Sequence, residues 1–258
     1  MTITFLGTGT SQGVPVIGCD CAVCQSHDPR DKRLRTSAMI ETDGKTIVID
    51  AGPDFRQQLL RAKVTDVTAI LMTHEHNDHI IGMDDVRPLN FKHRKQMPVY
   101  AEPRVQTELQ ERFAYIFAKN PYPGAPRLIL QNIDEDRIIN IEGVEVTPIR
   151  AMHGQLPVFG FRFGDFTYLT DIKTISAKEL KKVKGTKVLA LDALHHSVHH
   201  SHLNLEEALA LIEIIQPEQA YLIHVSHRMG LTQEVNKTLP EGVQLAYDGL
   251  VIEVRSTS

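Results

Sequence analysis

The sequence predicts an α/β protein in which two β-sheets pack face to face and helices cover both outer faces, a four-layer αββα sandwich. Short apolar runs bounded by Gly, Asp or Pro recur through both halves of the chain, as is typical of buried strands. Segments with the spacing of helices lie between them. No repeat and no low-complexity linker divides the 258 residues, so we expect one domain over residues 1–258.

The predicted strands are rich in aliphatic and aromatic residues and fall into two groups, each of which would form one sheet. The two groups are joined near residues 130–150. The predicted strands are 2–6, 37–42, 46–50, 68–73, 128–131, 138–149, 157–163, 166–171, 187–192, 219–224 and 250–254.

The predicted helices carry start signals in the sequence. Pro103 stands in a first turn, where the missing N–H of proline costs least. Asn204 is a candidate N-cap with Glu207 three positions later, which is the pattern of a capping box. Thr232 is expected to cap the last helix. The predicted helices are 54–63, 103–118, 204–215 and 231–238.

The composition excludes several functional classes. With 42% hydrophobic and 23% charged residues the chain is an ordinary globular protein, and its apolar runs are far shorter than the roughly 18 residues of a membrane span. The first residues run straight into strand-like sequence without a basic segment, so we expect no signal peptide and a cytoplasmic protein. The net charge of −4 gives no overall attraction for nucleic acid or an anionic membrane.

The strongest functional signal is the run THEHNDH at 73–79, where a buried strand ends and the chain turns. In an extended segment His74 and His76 point to the same side, and the turn then brings Asp78 and His79 from another direction. Imidazole and carboxylate ligands together suit Zn, Mn or Fe, whereas Mg and Ca prefer more oxygen ligands. A solvated polar loop is the alternative, but histidines have no packing reason to cluster at a strand end.

The His-x-His-x-Asp-His run is the signature of the metallo-β-lactamase superfamily, and the chain resembles a metal-dependent hydrolase of that fold. The remaining ligands of the superfamily are matched, in family order, by residues that all lie at or near the ends of predicted strands. These residues are His153 in RAMHG, Asp171 in YLTD and His224 in LIHVSH. The resemblance therefore implies the metallo-β-lactamase type of αββα sandwich.

This resemblance implies an active site with two divalent metals, Zn or Mn. The ligands of the first metal would be His74, His76 and His153, those of the second Asp78, His79 and His224, and Asp171 would bridge the two. Two metals about 3.5–4 Å apart hold a hydroxide that attacks at neutral pH, and they offset charge on a phosphate ester. Asp78 would also orient this hydroxide. Because nothing in the chain carries electrons, we expect a phosphoester hydrolase rather than an oxidoreductase.

The three cysteines of the chain all lie in the run CDCAVC at 19–24. Three thiols cannot form a balanced disulfide framework, but three thiolates could bind a structural zinc that needs a fourth ligand. The candidate ligands are Cys19, Cys21, Cys24 and His227. A reduced loop with incidental thiols is the alternative.

The cysteine run narrows the resemblance. The stretch VPVIGCDCAVC is similar to the phosphoribosyl 1,2-cyclic phosphate phosphodiesterases of phosphonate breakdown, and the similarity extends over nearly the whole chain. In that family three cysteines and the second histidine of a His-x-Ser-His run bind a separate zinc. If His227 does so here, the zinc would hold the neighbouring ligand His224 in place.

Five of the 13 histidines lie between 195 and 202, before the helix predicted at 204, and most are expected to be exposed. His202 matches the catalytic histidine of the family. The resemblance implies that His202 donates a proton to the leaving oxygen or stabilises the pentavalent phosphorane. Asn204 stands where an Asp often follows this histidine, so the sequence leaves open whether Asn204 alters the role of His202.

The sequence thus predicts a metal-dependent phosphodiesterase that hydrolyses a small, cyclic phosphodiester. A tRNA 3′-end endonuclease shares the ligands but needs a protruding basic arm, and the sequence has no Lys/Arg-rich insertion. A thioester or lactam hydrolase is a further alternative, because the same hydroxide attacks carbonyls. A binding module that the metals only stabilise is the non-enzymatic alternative. The expected partner is a small phosphodiester, with nucleic acid and membrane disfavoured and a homodimer left open.

Overall fold

A computed structural model describes residues 1–254 and contains two mixed β-sheets stacked face to face. In chain order the strands are β1 (Thr2–Gly7), β2 (Ser37–Thr42), β3 (Lys45–Ile49), β4 (Ala69–Leu71), β5 (Met97–Ala101), β6 (Leu128–Asn132), β7 (Ile139–Ile141), β8 (Val144–His153), β9 (Leu156–Phe163), β10 (Phe166–Leu169), β11 (Thr174–Ile175), β12 (Val188–Asp192), β13 (Gln219–Ile223), β14 (Val243–Leu245) and β15 (Val251–Glu253). The first sheet has the order β15-β1-β2-β3-β4-β5-β6 and the second β11-β8-β9-β10-β12-β13-β14, with β7 paired to β8.

Helices cover the outer face of each sheet, so the predicted αββα sandwich is confirmed. The helices are α1 (Ala22–Gln25), α2 (Phe55–Arg61), α3 (Asn77–Ile80), α4 (Arg87–His93), α5 (Pro103–Arg112), α6 (Ala177–Val183), α7 (Leu205–Ile215) and α8 (Thr232–Asn236). Short 3₁₀ turns lie at Pro29–Asp31, Ile81–Val86 and His227–Met229. No helix within residues 1–254 has both the length and the apolar character needed to span a bilayer.

Three apolar layers hold the sandwich together. Between the sheets, fully buried side chains such as Phe5 and Ile47 of the first sheet meet Phe159 and Phe166 of the second. Burying one such side chain stabilises the fold by about 1.5–3 kcal/mol. The two outer layers lie between each sheet and its helices. Because the central strands are covered on both faces, their sequences are continuously apolar rather than alternating.

The observed elements differ from the predicted ones in several places: strands β11 and β14 and helices α1 and α3 were not predicted, and the helix predicted over 103–118 ends at Arg112. The run 138–149 is two strands, because Glu142 and Gly143 adopt positive φ and turn the chain between β7 and β8. Strand β5 was not predicted, since Pro98 weakens its strand signal, and helices α4 and α6 were missed as well. Strand β15 returns to the first sheet.

The two helix caps named from the sequence have different outcomes. Asn204 accepts a hydrogen bond from the Glu207 backbone N–H, and the Glu207 carboxylate accepts one from the Asn204 backbone N–H, so the capping box of α7 is confirmed. Thr232 as a cap was wrong. It lies inside α8, where its hydroxyl accepts a hydrogen bond from the buried guanidinium of Arg33 at 2.9 Å.

Candidate metal centre

Three site residues follow strand ends in an unusual backbone conformation. Asp50 after β3, Asp171 after β10 and His224 after β13 have φ of 61°, 55° and 56°. Non-glycine residues in this left-handed region cost on the order of 1–3 kcal/mol and persist where the surrounding structure holds them. All three side chains are buried and belong to, or contact, the group of histidines and aspartates at this edge of the sandwich.

The first ligand group is His74, His76 and His153, whose candidate ligand atoms lie within 4.8 Å of one another. The rings of His74 and His76 are 4.6 Å apart between centroids, and those of His76 and His153 are 5.2 Å apart. The Nδ1 of His153 donates to the backbone carbonyl of Ser201 at 2.8 Å, which leaves its Nε2 as the free ligand atom. His74 and His153 are buried, whereas His76 is exposed to solvent.

The second ligand group is Asp78, His79, Asp171 and His224, again within 4.8 Å of one another. The Nε2 of His79 lies 3.2 Å from Asp78 Oδ2 and 3.3 Å from Asp171 Oδ2. The Nε2 of His224 lies 3.3 Å from Asp171 Oδ1. The same Oδ1 is 4.0 Å from the Nε2 of His74 in the first group. The carboxylate of Asp171 therefore stands between the two groups.

The donor atoms at this centre fit divalent metals. The buried Nε2 atoms of His74, His79 and His224 have no hydrogen-bond partner, although buried polar atoms are nearly always paired. Although burial works in the opposite direction, the rings of His224 and His79 hold the pKa of Asp171 well below its usual range, so it is a carboxylate. Neutral imidazoles and carboxylates of this kind are the ligands that Zn and Mn accept.

The electrostatics around His79 favour a positive charge. Burial alone would lower the pKa of His79, but the carboxylates of Asp171, Asp78 and Asp50 hold it well above its usual range. In contrast, burial and the neighbouring His79 hold the pKa of His74 well below its usual range. A bound cation would supply the charge that the carboxylates otherwise draw from a proton.

Two supporting carboxylates were missed by the sequence analysis. Asp50 accepts from His79 Nδ1 at 2.7 Å and also from the backbone N–H and the hydroxyl of Thr73. Asp192 lies 3.1 Å from His202 Nδ1 and 3.6 Å from His224 Nδ1. Such carboxylates fix the tautomer and orientation of metal-binding histidines. The sequence did contain a signal for these two residues. Asp50 and Asp192 each stand at the end of an apolar strand, and Asp171 lies in a similar position.

Arg104 contacts the segment that carries the first ligand group and also a strand of the second sheet. Glu75, between His74 and His76, forms an ion pair with Arg104 at the start of α5. Arg104 Nη2 also donates to the carbonyl of Pro157 at 2.7 Å, on the strand that pairs with His153. The guanidinium of Arg104 therefore holds the loop of His74 and His76, which follows the first sheet, next to His153 of the second sheet.

His202 lies beside both ligand groups. Its ring is 4.4 Å from that of His153 and 4.7 Å from that of His224 between centroids. Burial opposes its protonation, but Asp192 raises the pKa of His202 to about 9. The acidic partner of His202 is therefore Asp192 of β12, whereas Asn204 serves as a helix cap. His195, expected to be exposed with the other histidines of this segment, is buried.

The predicted cysteine cluster is also brought together. Cys19, Cys21, Cys24 and His227 offer ligand atoms within 4.8 Å of one another. His227 Nδ1 lies 3.3 Å from Cys19 Sγ and 3.4 Å from Cys21 Sγ. The backbone N–H of Cys24 and the ring of His227 lower the pKa of Cys21 to about 6, whereas burial raises that of Cys24 to about 11. This donor set fits a tetrahedral structural zinc.

Replacing Cys21 with alanine is expected to remove one zinc per chain and to lower the melting temperature. The loop of 19–24 would lose its attachment to His227, and with it the support of His224 on the same turn. Zinc analysis and thermal unfolding measure both effects. Asp20→Ala, which changes the residue between two thiols, is the matched control, and full zinc content in Cys21→Ala would contradict the assignment.

Two stacked mixed sheets with histidines and aspartates gathered at the strand ends define a class of metal-binding αββα proteins, and comparison with known families identifies that class. Residues 45–225 match the family described as the Beta-lactamase superfamily domain, so the chain belongs to the β-lactamase superfamily. Within it, the chain belongs to the PhnP family. The structure described as a new diphosphatase from that family is 40% identical, with a TM-score of 0.91 over 97% of this chain and 96% of that chain.

Curated relatives carry other names. A protein of Porphyromonas gingivalis named octanoyltransferase is 44% identical over 97% of this chain and 51% of its own length. A ribonuclease Z of Methanosarcina acetivorans is 26% identical over 62% of this chain and 47% of its own length. The chain thus spans about half the length of the curated relatives it matches. The matches confirm the predicted fold and superfamily.

Proposed function

We propose that the chain is a divalent-metal-dependent phosphodiesterase acting on a small, cyclic phosphodiester. The observation that carries the proposal is the position of Asp171 between the two ligand groups, 3.3 Å from a ligand nitrogen of His79 and of His224 and 4.0 Å from that of His74. Two adjacent divalent metals, Zn or Mn, would activate water and neutralise charge on the phosphoryl oxygens.

Two residues beside the metals have further roles, proton donation to the leaving oxygen and orientation of the attacking water. His202 is the proton donor to the leaving oxygen, since Asp192 holds its Nδ1 at 3.1 Å and favours the protonated ring. Its Nε2 lies 4.0 Å from Asp171 Oδ1, next to the ligands. Asp78 is less buried than the other second-group ligands, and this access to solvent supports a second role for it, orientation of the attacking water, in addition to metal binding.

The short turn beside His153 and the lack of a basic arm there favour a small substrate. Strand β8 ends at His153 and β9 begins at Leu156, so only a two-residue turn, Gly154 and Gln155, stands beside this ligand. No basic arm emerges there to grip tRNA, and the net charge is −4. These features favour a small phosphodiester over the nuclease alternative.

The test is hydrolysis of bis(p-nitrophenyl) phosphate by protein reconstituted with Zn or Mn and analysed for metal content. A panel of cyclic and linear phosphodiesters, a tRNA precursor and a thioester is assayed in parallel. We expect turnover of bis(p-nitrophenyl) phosphate and of a small cyclic diester, with neither tRNA nor thioester cleaved. Metal-loaded protein without turnover of any phosphodiester would overturn the proposal.

A further inference from the structure

Arg33 is a buried arginine, only 4% exposed, that joins three separate segments of the chain. Its Nη1 donates to the hydroxyl of Thr8 at 2.8 Å and to the carbonyl of Ala246 at 2.5 Å. Its Nη2 donates to the hydroxyl of Thr232 at 2.9 Å. All three acceptors are neutral oxygen atoms, whereas a buried charge is stable only where opposite charge or hydrogen bonds offset the loss of water.

Two carboxylates balance the charge of Arg33, each through one threonine. The hydroxyl of Thr8 donates to Asp248 Oδ1 at 2.8 Å, and the backbone N–H of Thr232 donates to Asp31 Oδ1 at 2.8 Å. Burial lowers the pKa of Arg33 to about 10, and Asp248 and Asp31 act in the opposite direction. The side chain is therefore a cation at neutral pH, and each threonine is fixed between this cation and a carboxylate.

Thr8 connects this network to the second ligand group. The backbone N–H of Val225 donates to the carbonyl of Thr8 at 2.9 Å, and the carbonyl of Val225 accepts from the N–H of Thr10 at 3.2 Å. Val225 directly follows His224, whose φ of 56° is a conformation that persists where the surrounding structure holds it. The segment after β1 therefore fixes the backbone beside this ligand.

Arg33 also packs directly against the same segment at Gly9. A Cβ at Gly9 would lie 2.8 Å from the Cβ of Arg33 and 3.0 Å from its carbonyl oxygen, so only glycine allows this approach. The backbone of Arg33 is itself paired with Val14 through two hydrogen bonds of 2.8 Å. Arg33 is thus fixed by its backbone as well as by its guanidinium against the segment that pairs with Val225.

The other arm of the network reaches the cysteine cluster. Asp31 Oδ2 accepts from the hydroxyl of Ser26 at 2.6 Å, and Ser26 is the C-cap of α1, the helix that carries Cys24. Thr232 lies five residues after His227. The guanidinium of Arg33 therefore lies between the cysteine cluster and the backbone beside the second ligand group.

We propose that Arg33 is a positioning residue for the second ligand group: its guanidinium holds Thr8 against the chain that carries His224 and so sets the affinity of this group for its metal. Arg33 acts through the backbone of Val225 and not by touching metal or substrate. This inference rests on the proposed metal-dependent function, but it is tested by metal binding, which does not require turnover.

The experiment is a calorimetric titration of Mn²⁺ into protein whose cysteine cluster holds zinc and whose active site has been emptied of metal. The wild type should bind two Mn²⁺ per chain. In Arg33→Met one of the two binding steps should weaken by about tenfold or more, the usual effect of removing a group that orients a metal ligand. Arg33→Lys keeps a charged donor and should recover most of the affinity.

Thr8→Val tests the same contact from its other side. It removes the hydroxyl that accepts from Arg33 and should weaken the same binding step. The double variant of Arg33→Met and Thr8→Val should bind little more weakly than either single variant, because the two changes break one shared interaction. Independent, additive losses would overturn the route through Thr8.

Arg162→Met is the matched control. The guanidinium of Arg162 on β9 donates to three backbone carbonyls at 2.7 Å, so its loss also breaks hydrogen bonds to neutral oxygens. Arg162 lies at the end of β9 opposite the residue that pairs with His153. This variant should lower the melting temperature and leave both Mn²⁺ affinities unchanged.

Unchanged Mn²⁺ affinity in folded Arg33→Met, or an equal loss in Arg162→Met, would overturn the positioning role. If circular dichroism shows that Arg33→Met does not fold, the titration of Thr8→Val decides in the same way. A wild type that binds both metals but hydrolyses no phosphodiester would end the proposed function, and the titration would still decide on Arg33.

Discussion

His202→Ala is expected to reduce kcat for phosphodiester hydrolysis by about 10²–10⁴-fold while the metals stay bound, the usual loss when a general acid is removed. The ring lies 4.4 Å from that of His153 and 4.7 Å from that of His224 between centroids, close enough to reach a substrate held by those ligands. The groups His74, His76 and His153 and Asp78, His79, Asp171 and His224 come together without it, although a ring nitrogen of His202 also lies within 4.8 Å of ligand atoms of His153 and Asp171. Steady-state kinetics together with metal analysis measure both parts of the prediction.

The matched control is His200→Ala, which removes an exposed histidine two positions earlier in the same segment. Asp192→Asn should mimic much of the His202→Ala loss, because the amide neither stabilises the protonated ring nor fixes its orientation. An unchanged kcat in His202→Ala would remove this residue from the mechanism. Loss of a metal from His202→Ala would show instead that it is a ligand.

The seven candidate ligands were implied by the resemblance to the metallo-β-lactamase superfamily, and the strand ends near which they lie can be recognised in the sequence. Each follows an apolar run, and the carboxyl ends of neighbouring parallel strands meet at one edge of a sheet. The supporting roles could not be predicted in the same way. Asp50, Asp171 and Asp192 carry nearly the same local signal. Which one stands between the ligand groups depends on the positions of β3, β10 and β12 within the two sheets.

Side-chain contacts between the two sheets likewise could not be predicted from the sequence. The ion pair of Glu75 with Arg104, and the bond from Arg104 to Pro157, join elements that are far apart in the chain. His195 also illustrates the difference, since a histidine-rich polar segment predicts exposure. Its backbone carbonyl accepts from Leu205 N–H at 2.9 Å, which folds the segment back onto the start of α7 and buries the ring.

Asp171→Asn is expected to remove at least one of the two active-site metals and to lower kcat/KM by about 10³-fold or more. The carboxylate lies against ligand nitrogens of both groups, and a neutral amide offers a metal neither the charge nor the second oxygen. A loss of several kcal/mol of transition-state stabilisation corresponds to this factor, since each 1.4 kcal/mol is tenfold in rate. Metal analysis and hydrolysis of bis(p-nitrophenyl) phosphate measure the two effects.

Asp165→Asn is the control for Asp171→Asn, because it makes the same chemical change next to the opposite end of the same strand, β10. Asp165 directly precedes β10 and pairs with Lys187 at 3.1 Å, far along the strand from the ligands. Circular dichroism of both variants separates loss of metal from loss of fold. If Asp171→Asn kept two active-site metals and full turnover, the two ligand groups would not act through a shared carboxylate. The assignment of a bridged pair of metals would then be wrong, even though His74, His79 and His224 lie around that position.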